Sequence, residues 1–444
     1  MWTFLHEILY PLLWAAIGFW IVGRWSVFRI KGIPTAWMQG AFVLKLIAGL
    51  AVWAIYTFHY EYRASSDAYG YFDDAMVING YLFKDPIIWF QFLFGVGLEN
   101  PELAEVFDQM TRWTFVYTYG IANDNPTIIR VNMLIGLISF GSYHVHTVIF
   151  NILSLLGICQ FLRFLKSLHK KRTAHTAIRV SALLLFIFPT VLFWGSGVLK
   201  ESLLLFALGT FLYLLKRGLS GGAKYLFGVA LFGTLLLYLK PYVFICLLGP
   251  LIAFSLVERF NLRTYLLYPL VLLAIFLIAV QADQFFPAGD LLYILQKKQT
   301  DFYNLAEMND AGSVVHISPV AQEPLAFLID APERLAHAML RPFPWELNKA
   351  IYFPAFGEVL LTLILLGAFF IALTKGKLRI RKWKLVVSNT NYLWLTLSFL
   401  LVFSLVMGSC VPVIGAVVRY KFPVLMLFSG IFVVTSTQTT SVNK

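Results

Sequence analysis

Eleven apolar runs dominate this chain and dictate what it can fold into, at about residues 7–23, 41–59, 145–162, 178–195, 201–216, 224–239, 242–257, 264–281, 356–374, 388–407 and 420–436. A helix of about 20 apolar residues crosses the hydrocarbon of a bilayer, and inside lipid only helices or closed barrels satisfy their own backbone groups. The expected fold class is therefore an all-α polytopic membrane protein with about 11 transmembrane helices, with residues 1–444 forming a single integral membrane domain. Charge content agrees. Only 13% of residues are charged, about half the roughly 25% of an ordinary globular chain, too few to coat a water-facing surface.

Basic residues give the runs a direction. Segments 24–40, 163–177, 216–224, 258–263 and 375–387, together with Lys444, hold 20 of the 35 Lys and Arg residues but one acid, Glu258. Cytoplasmic loops collect Lys and Arg, so these segments are expected inside, the N-terminus outside and the C-terminus cytoplasmic. The same asymmetry accounts for the formal charge of +12 without a nucleic-acid partner. The apolar run 127–142 would reverse the scheme if it crossed, and is read as a short helix lying on or dipping into the outer leaflet. Two long segments remain outside, 60–144 and 282–355, both expected to be helical and folded. Met1–Glu7 carries no basic residue ahead of the first run, so a removable leader is not expected. Cys159, Cys246 and Cys410 have neither the spacing of a metal site nor that of a disulfide framework.

Three places could carry chemistry. The first outer segment opens with SSDAYGYFDDAM, where Ser65 and Ser66 are good N-caps and acids suit a first helical turn. Asp67, Tyr71 and Asp74 would share one helix face while Asp73 points about 100° away. Such a face could take a proton from a hydroxyl or hold a divalent cation; a capped, solvated helix start is the plain alternative. The second place is FPTVLFWGSGVLKE, where Lys200 and Glu201 follow an outer turn with almost no hydrophilic sequence. Charges that close to hydrocarbon are costly and usually face a cavity or a partner, although Lys200 could simply pair with Glu201. Third, Arg419 and Lys421 in VVRYKFPVL sit at the outer end of the last run, and Lys240, Arg334 and Arg341 add cations on that side. Arg binds phosphate through two parallel hydrogen bonds and Lys adds a point charge, whereas lipid head groups would explain the same residues more simply. His144 and His146 diverge on a helix, and no phosphate-binding glycine loop, zinc helix or nucleophile elbow is present.

With SDAYGYFDDA after an early span, a large outer loop behind it, many short-looped helices and a late VVRYKFPVL, the chain resembles polytopic GT-C glycosyltransferases. FPTVLFWGSGVLKE resembles segments of bacterial envelope proteins that build surface polysaccharide. These motifs cover about 45 residues, and the acidic loop follows the second span where that family has it after the first. The resemblance implies a lipid-linked sugar donor, a polyprenyl phosphate sugar, a glycan or lipid acceptor, transfer on the outer face of the bacterial inner membrane, and no nucleotide cofactor. It also implies Asp67 as the base, with Asp73 or Asp74 as substitute or cation ligand. Arg419 would hold donor phosphate, helped by Lys200 or Lys421. A polysaccharide polymerase or ligase would use the same donor. A transporter or flippase is the alternative from another class, disfavoured by the absence of an internal repeat and the scarcity of charge in span centres, and an assembly factor is a further one.

Overall fold

The computed structural model describes residues 5–58, 62–63, 66–114, 124–168, 174–284, 290–308, 310–374, 378–380, 383–387 and 389–436. Ser65, the histidine and basic residues of 169–172, Lys375, Lys377, Arg381, Lys382 and Lys444 lie outside them. In chain order the α-helices are α1 (Tyr10–Arg24, entered through a π turn at Leu5–Leu9), α2 (Thr35–Phe58), α3 (Asp67–Asn79), α4 (Pro86–Phe94), α5 (Ala104–Asp108), α6 (Asn125–Ser139) and α7 (Tyr143–Leu168). There follow α8 (Ala174–Ile187), α9 (Pro189–Trp194), α10 (Lys200–Leu219), α11 (Leu226–Leu239), α12 (Pro241–Phe260), α13 (Thr264–Val280) and α14 (Leu291–Met308). The last are α15 (Pro324–Ile329), α16 (Ala331–Leu340), α17 (Tyr352–Thr374), α18 (Thr390–Cys410), α19 (Ile414–Tyr420) and α20 (Phe422–Phe428).

Among the described residues, seven helices are long and apolar enough to cross a membrane, beginning at Leu5, Thr35, Tyr143, Lys200, Pro241, Tyr352 and Thr390, and three shorter apolar helices lie at Ile178–Ile187, Ala223–Leu239 and Thr264–Val280. These are the properties of an integral membrane protein built from helices. Nine of the eleven apolar runs thus coincide with single helices, and the run 178–195 is broken before Pro189 into α8 and α9. The eleventh, 420–436, divides: α19 and α20 meet at Lys421, and the chain leaves the helix to form a strand, Phe432–Ser436. Pro423 starts α20, and Phe422–Phe428 is buried on every side, so a run that reads as a lipid-facing span is a short interior helix. The run 127–142 forms α6, whose 15 residues reach about 22 Å.

The chain forms two compact units. The first comprises Met1–Arg163, Leu192–Leu215 and Ala223–Pro241; the second comprises Phe164–Val191, Lys216–Gly222 and Tyr242–Lys444. In the first, α1 packs on α2, and α3 packs on α4 and α6. Helices α7 and α10 meet backbone to backbone, since a Cβ on Gly209 would strike the Gly157 carbonyl and one on Gly157 would strike the backbone at Leu205 and Phe206; such contact between small residues is how helices associate in lipid. In the second unit α16 packs on α18, close enough that a Cβ on Gly408 would overlap the Arg334 backbone. A small antiparallel sheet adds to the helices: β1 (Leu378–Ile380), β2 (Trp383–Val387) and β3 (Phe432–Ser436), in that order, with Leu385 opposite Leu378 and Val434.

Candidate functional site

In the first unit the acidic stretch starts a capped helix, as its pattern requires. Ser66 Oγ accepts the Tyr69 amide at 3.4 Å, and the cap fixes which way the acids of α3 face. Asp74 turns inward and accepts the amides of Trp113, Arg112 and Thr111 at 2.7, 2.8 and 2.9 Å. Burial pushes its carboxyl above the ordinary value, and the three amides pull against that shift. Both oxygens are thereby engaged in holding the 111–113 turn. Asp73 points the other way and binds Arg63 through two 2.7 Å hydrogen bonds at the surface. Asp67 retains 35% of its side-chain surface, with Arg112 Nη2 3.7 Å from its carboxylate.

Lys200 opens α10 and is buried. Its ammonium donates to Asp124 Oδ1 at 2.5 Å and Asn125 Oδ1 at 2.6 Å and lies 5.4 Å from the centre of the Tyr71 ring. Glu201 is fully buried and pairs with Lys240 at 2.9 Å. The Lys200–Glu201 pair that adjacency suggests therefore does not form: neighbours on a helix point about 100° apart, and each finds a partner from another stretch. Asp67 and Lys240 both act electrostatically on Lys200, so Asp67, Arg112, Asp124, Lys200, Glu201 and Lys240 form one charged constellation around Tyr71 and Asn125. Buried pairs of this kind gain little net stability and are severely destabilising when one partner is lost.

Beneath this constellation lies a charge in mid-helix. Lys45, buried about halfway along α2, donates to the Gly195 carbonyl at 2.6 Å and Ser196 Oγ at 3.0 Å; Ser154 Oγ donates to the same carbonyl at 2.8 Å. A Cβ on Gly49 would meet Ser196 O, and one on Gly197 would meet Val52. The 195–199 turn between α9 and α10 is thus seated against residues 45–52 of α2, about 9 to 20 Å along the axis from its Phe58 end, whereas the sequence places that turn at the outer boundary. His146 hydrogen-bonds Asn132 and Ser139 at 2.7 and 2.8 Å, while His144 stacks edge-on against Trp53. The two histidines serve different neighbours.

The remaining candidates belong to the second unit. Lys421 is buried and donates to the carbonyls of Met339, at 3.1 Å, and Arg341. Arg341 pairs with Glu346. Arg334 holds the Pro319 carbonyl and Asp330, each at 3.2 Å. Arg419 is half-buried in the last turn of α19 and not at the end of a long span. Glu358, inside α17, accepts the amide and hydroxyl of Thr190 at 2.7 and 2.6 Å. A cleft of about 430 Å³ between Val257–Tyr265 and Asn389–Asn391 contains none of the expected site residues. Among the described residues no group of three or more His, Cys, Asp or Glu could hold a metal ion.

The sequence did not single out Lys45, Arg112 or Asp124. For Lys45 the signal was present, a lone charge in the run 41–59 where charge is expensive; for the other two no spacing gave one. No family model, no curated protein and no solved structure matches this chain.

Proposed function

We propose that this protein transfers a sugar from a polyprenyl-phosphate donor to an envelope acceptor on the outer face of the bacterial inner membrane. The observation that carries the reading is the constellation around Asp67: a partly exposed carboxylate beside Arg112 and the buried cations Lys200 and Lys240. Asp67 takes the proton of the acceptor hydroxyl as its oxygen attacks the anomeric carbon, and the carbon–oxygen bond to phosphate breaks, the phosphate leaving with the electron pair. A base at the acceptor, cations for the charge that develops on phosphate, and exclusion of water are what such a step needs. Lys200 is the cation proposed for the phosphate; Tyr71 and Glu201 shape its surroundings. Asp74 contributes by fixing Arg112 through its own backbone amide.

The topology proposed with it has eleven crossings, the N-terminus outside and the C-terminus inside. The β2–β3 pairing supports its last two crossings, since it returns the C-terminal strand to the side of the basic 375–387 loop after α18 and the α19–α20 stretch. A second reading, a carrier of a lipid-linked substrate, is favoured by Lys45, because charge within a span often marks a transport path.

The test is incorporation of sugar into envelope glycan by Asp67→Asn and Lys200→Gln at unchanged membrane level. Both are expected to abolish it; full activity in both overturns the site. In proteoliposomes the purified protein is expected to consume polyprenyl phosphate sugar, whereas a carrier moves it without consumption. A long glycan acceptor in place of a short one would make the enzyme a polymerase or ligase.

A further inference from the structure

Helix α4 is apolar on both sides. Trp89 and Phe92 are buried, with Phe92 edge-on to Phe107 and Trp113 at 5.2 and 5.0 Å. The opposite side, together with the residues flanking the helix, presents Phe83, Ile87, Phe90, Phe94 and Val96 at 93, 70, 50, 70 and 66% exposure. Positions 87, 90 and 94 follow the i, i+3, i+7 spacing of one helix stripe. No charged residue occurs between Asp85 and Glu99. Taking roughly 150–250 Å² per aromatic side chain, the five residues expose about 600 Å², the upper end of what a soluble monomer tolerates as its largest apolar patch.

The patch continues onto α6, which packs on α4 and is tied to it by Arg130 Nε donating to the Phe92 carbonyl at 2.9 Å. Leu134, Leu137, Ile138 and Phe140 are exposed there. That end of α6 touches the entrance of the first membrane-length helix: Tyr10 donates to the Ile138 carbonyl, His6 Nε2 lies 3.0 Å from the Phe140 carbonyl, and Tyr10 and Phe140 pack ring to ring. The lipid-facing surface of α1 exposes Leu12, Leu13 and Trp20. The apolar surface therefore runs from α1 through α6 onto α4.

We propose that α4 and α6 form a platform seated in the outer leaflet, with the stripe of α4 immersed at the level where head groups meet acyl chains. Amphipathic helices hold such a position by burying one apolar face about 5–10 Å. Asn79 makes the platform matter to α3. Its side chain donates to the Met133 carbonyl at 3.0 Å and accepts Trp89 Nε1 at 2.7 Å, and Gly136 leaves room for it, since a Cβ there would overlap the amide. The C-terminal end of α3 is thus pinned to both platform helices. Lipid contact then sets the height of α3, and with it of Asp67, so that a group meeting Asp67 arrives at head-group depth. That last step rests on the glycosyl-transfer reading; the seating of the platform does not.

Spin labels at Ile87→Cys, Phe90→Cys and Phe94→Cys, each with Cys159, Cys246 and Cys410 replaced by alanine, test the seating in phosphatidylethanolamine–phosphatidylglycerol vesicles. Oxygen collisions are expected to exceed those with a water-soluble nickel reagent severalfold at all three positions and to fall below them at a Glu99→Cys reference. Dominant nickel collisions would place the stripe in water, and low collisions with both would place it under a protein partner; either overturns the proposal. Each exposed position is read independently, and loss of sugar transfer in any variant does not enter the readout.

Discussion

Replacing Asp74 by alanine strands three buried amides of the 111–113 turn. An unmet buried donor costs about 1–3 kcal/mol, so Asp74→Ala is expected to lose about 3 kcal/mol or more and to open that turn to protease, while Asp74→Asn, keeping one acceptor oxygen, loses less; thermal unfolding in detergent reads both. His337 gives a pH signature. Its Nε2 donates to the Val411 carbonyl at 2.7 Å, and burial lowers the imidazole to about 4, the carbonyl opposing and Arg341 and Lys421 reinforcing the shift. Above pH 6.5 folded and unfolded histidine are both neutral. Between 6.5 and about 4 the unfolded chain binds a proton that the folded site refuses, so stability should fall with pH by up to about 3 kcal/mol. His337→Gln should flatten that slope. Among the acids, the different orientations of Asp67 and Asp73 were legible because helical periodicity decides them. Their partners were not: Arg112 and Arg63 come from connections outside the regular helices, where no period links position to direction.

Element by element, the sequence recorded how apolar a stretch is better than where its backbone breaks. The run 420–436 carries a single charge, Lys421, yet Pro423 and the hydrogen bonds of Lys421 to Met339 and Arg341 divide it. The 195–199 turn is displaced for a similar reason, because a lysine from α2 satisfies its carbonyl. Lys45→Met removes the donor and leaves the Gly195 carbonyl with Ser154 alone; a loss of about 1–3 kcal/mol is expected, with sugar transfer falling as Lys200 shifts, and Lys45→Arg should recover part of both. The α7–α10 crossing is stricter. Gly157→Val would drive a branched side chain into the Leu205–Phe206 backbone, a steric overlap that side-chain rotation cannot relieve, and folded protein recovered from membranes is expected to fall severely.

For the whole molecule the β2–β3 register makes the topology testable. Leu385 and Val434 are direct partners, so cysteines at these two positions should react with an impermeant thiol reagent from the same side of the membrane. Reaction from opposite sides would remove the eleven-crossing scheme. Many apolar helices, their approximate places in the chain and a one-sided distribution of basic residues were all present in the sequence, because hydrocarbon admits few backbone arrangements and charge bias is a property of composition along the chain. The tertiary structure alone decided that Lys200 meets Asp124 while Glu201 meets Lys240, that Asp74 is spent on a turn, and that Lys45 closes a helix break. Those pairings join stretches 37 to 150 residues apart, and which buried charge finds which counter-charge depends on how helices pack, a quantity that local periodicity does not carry.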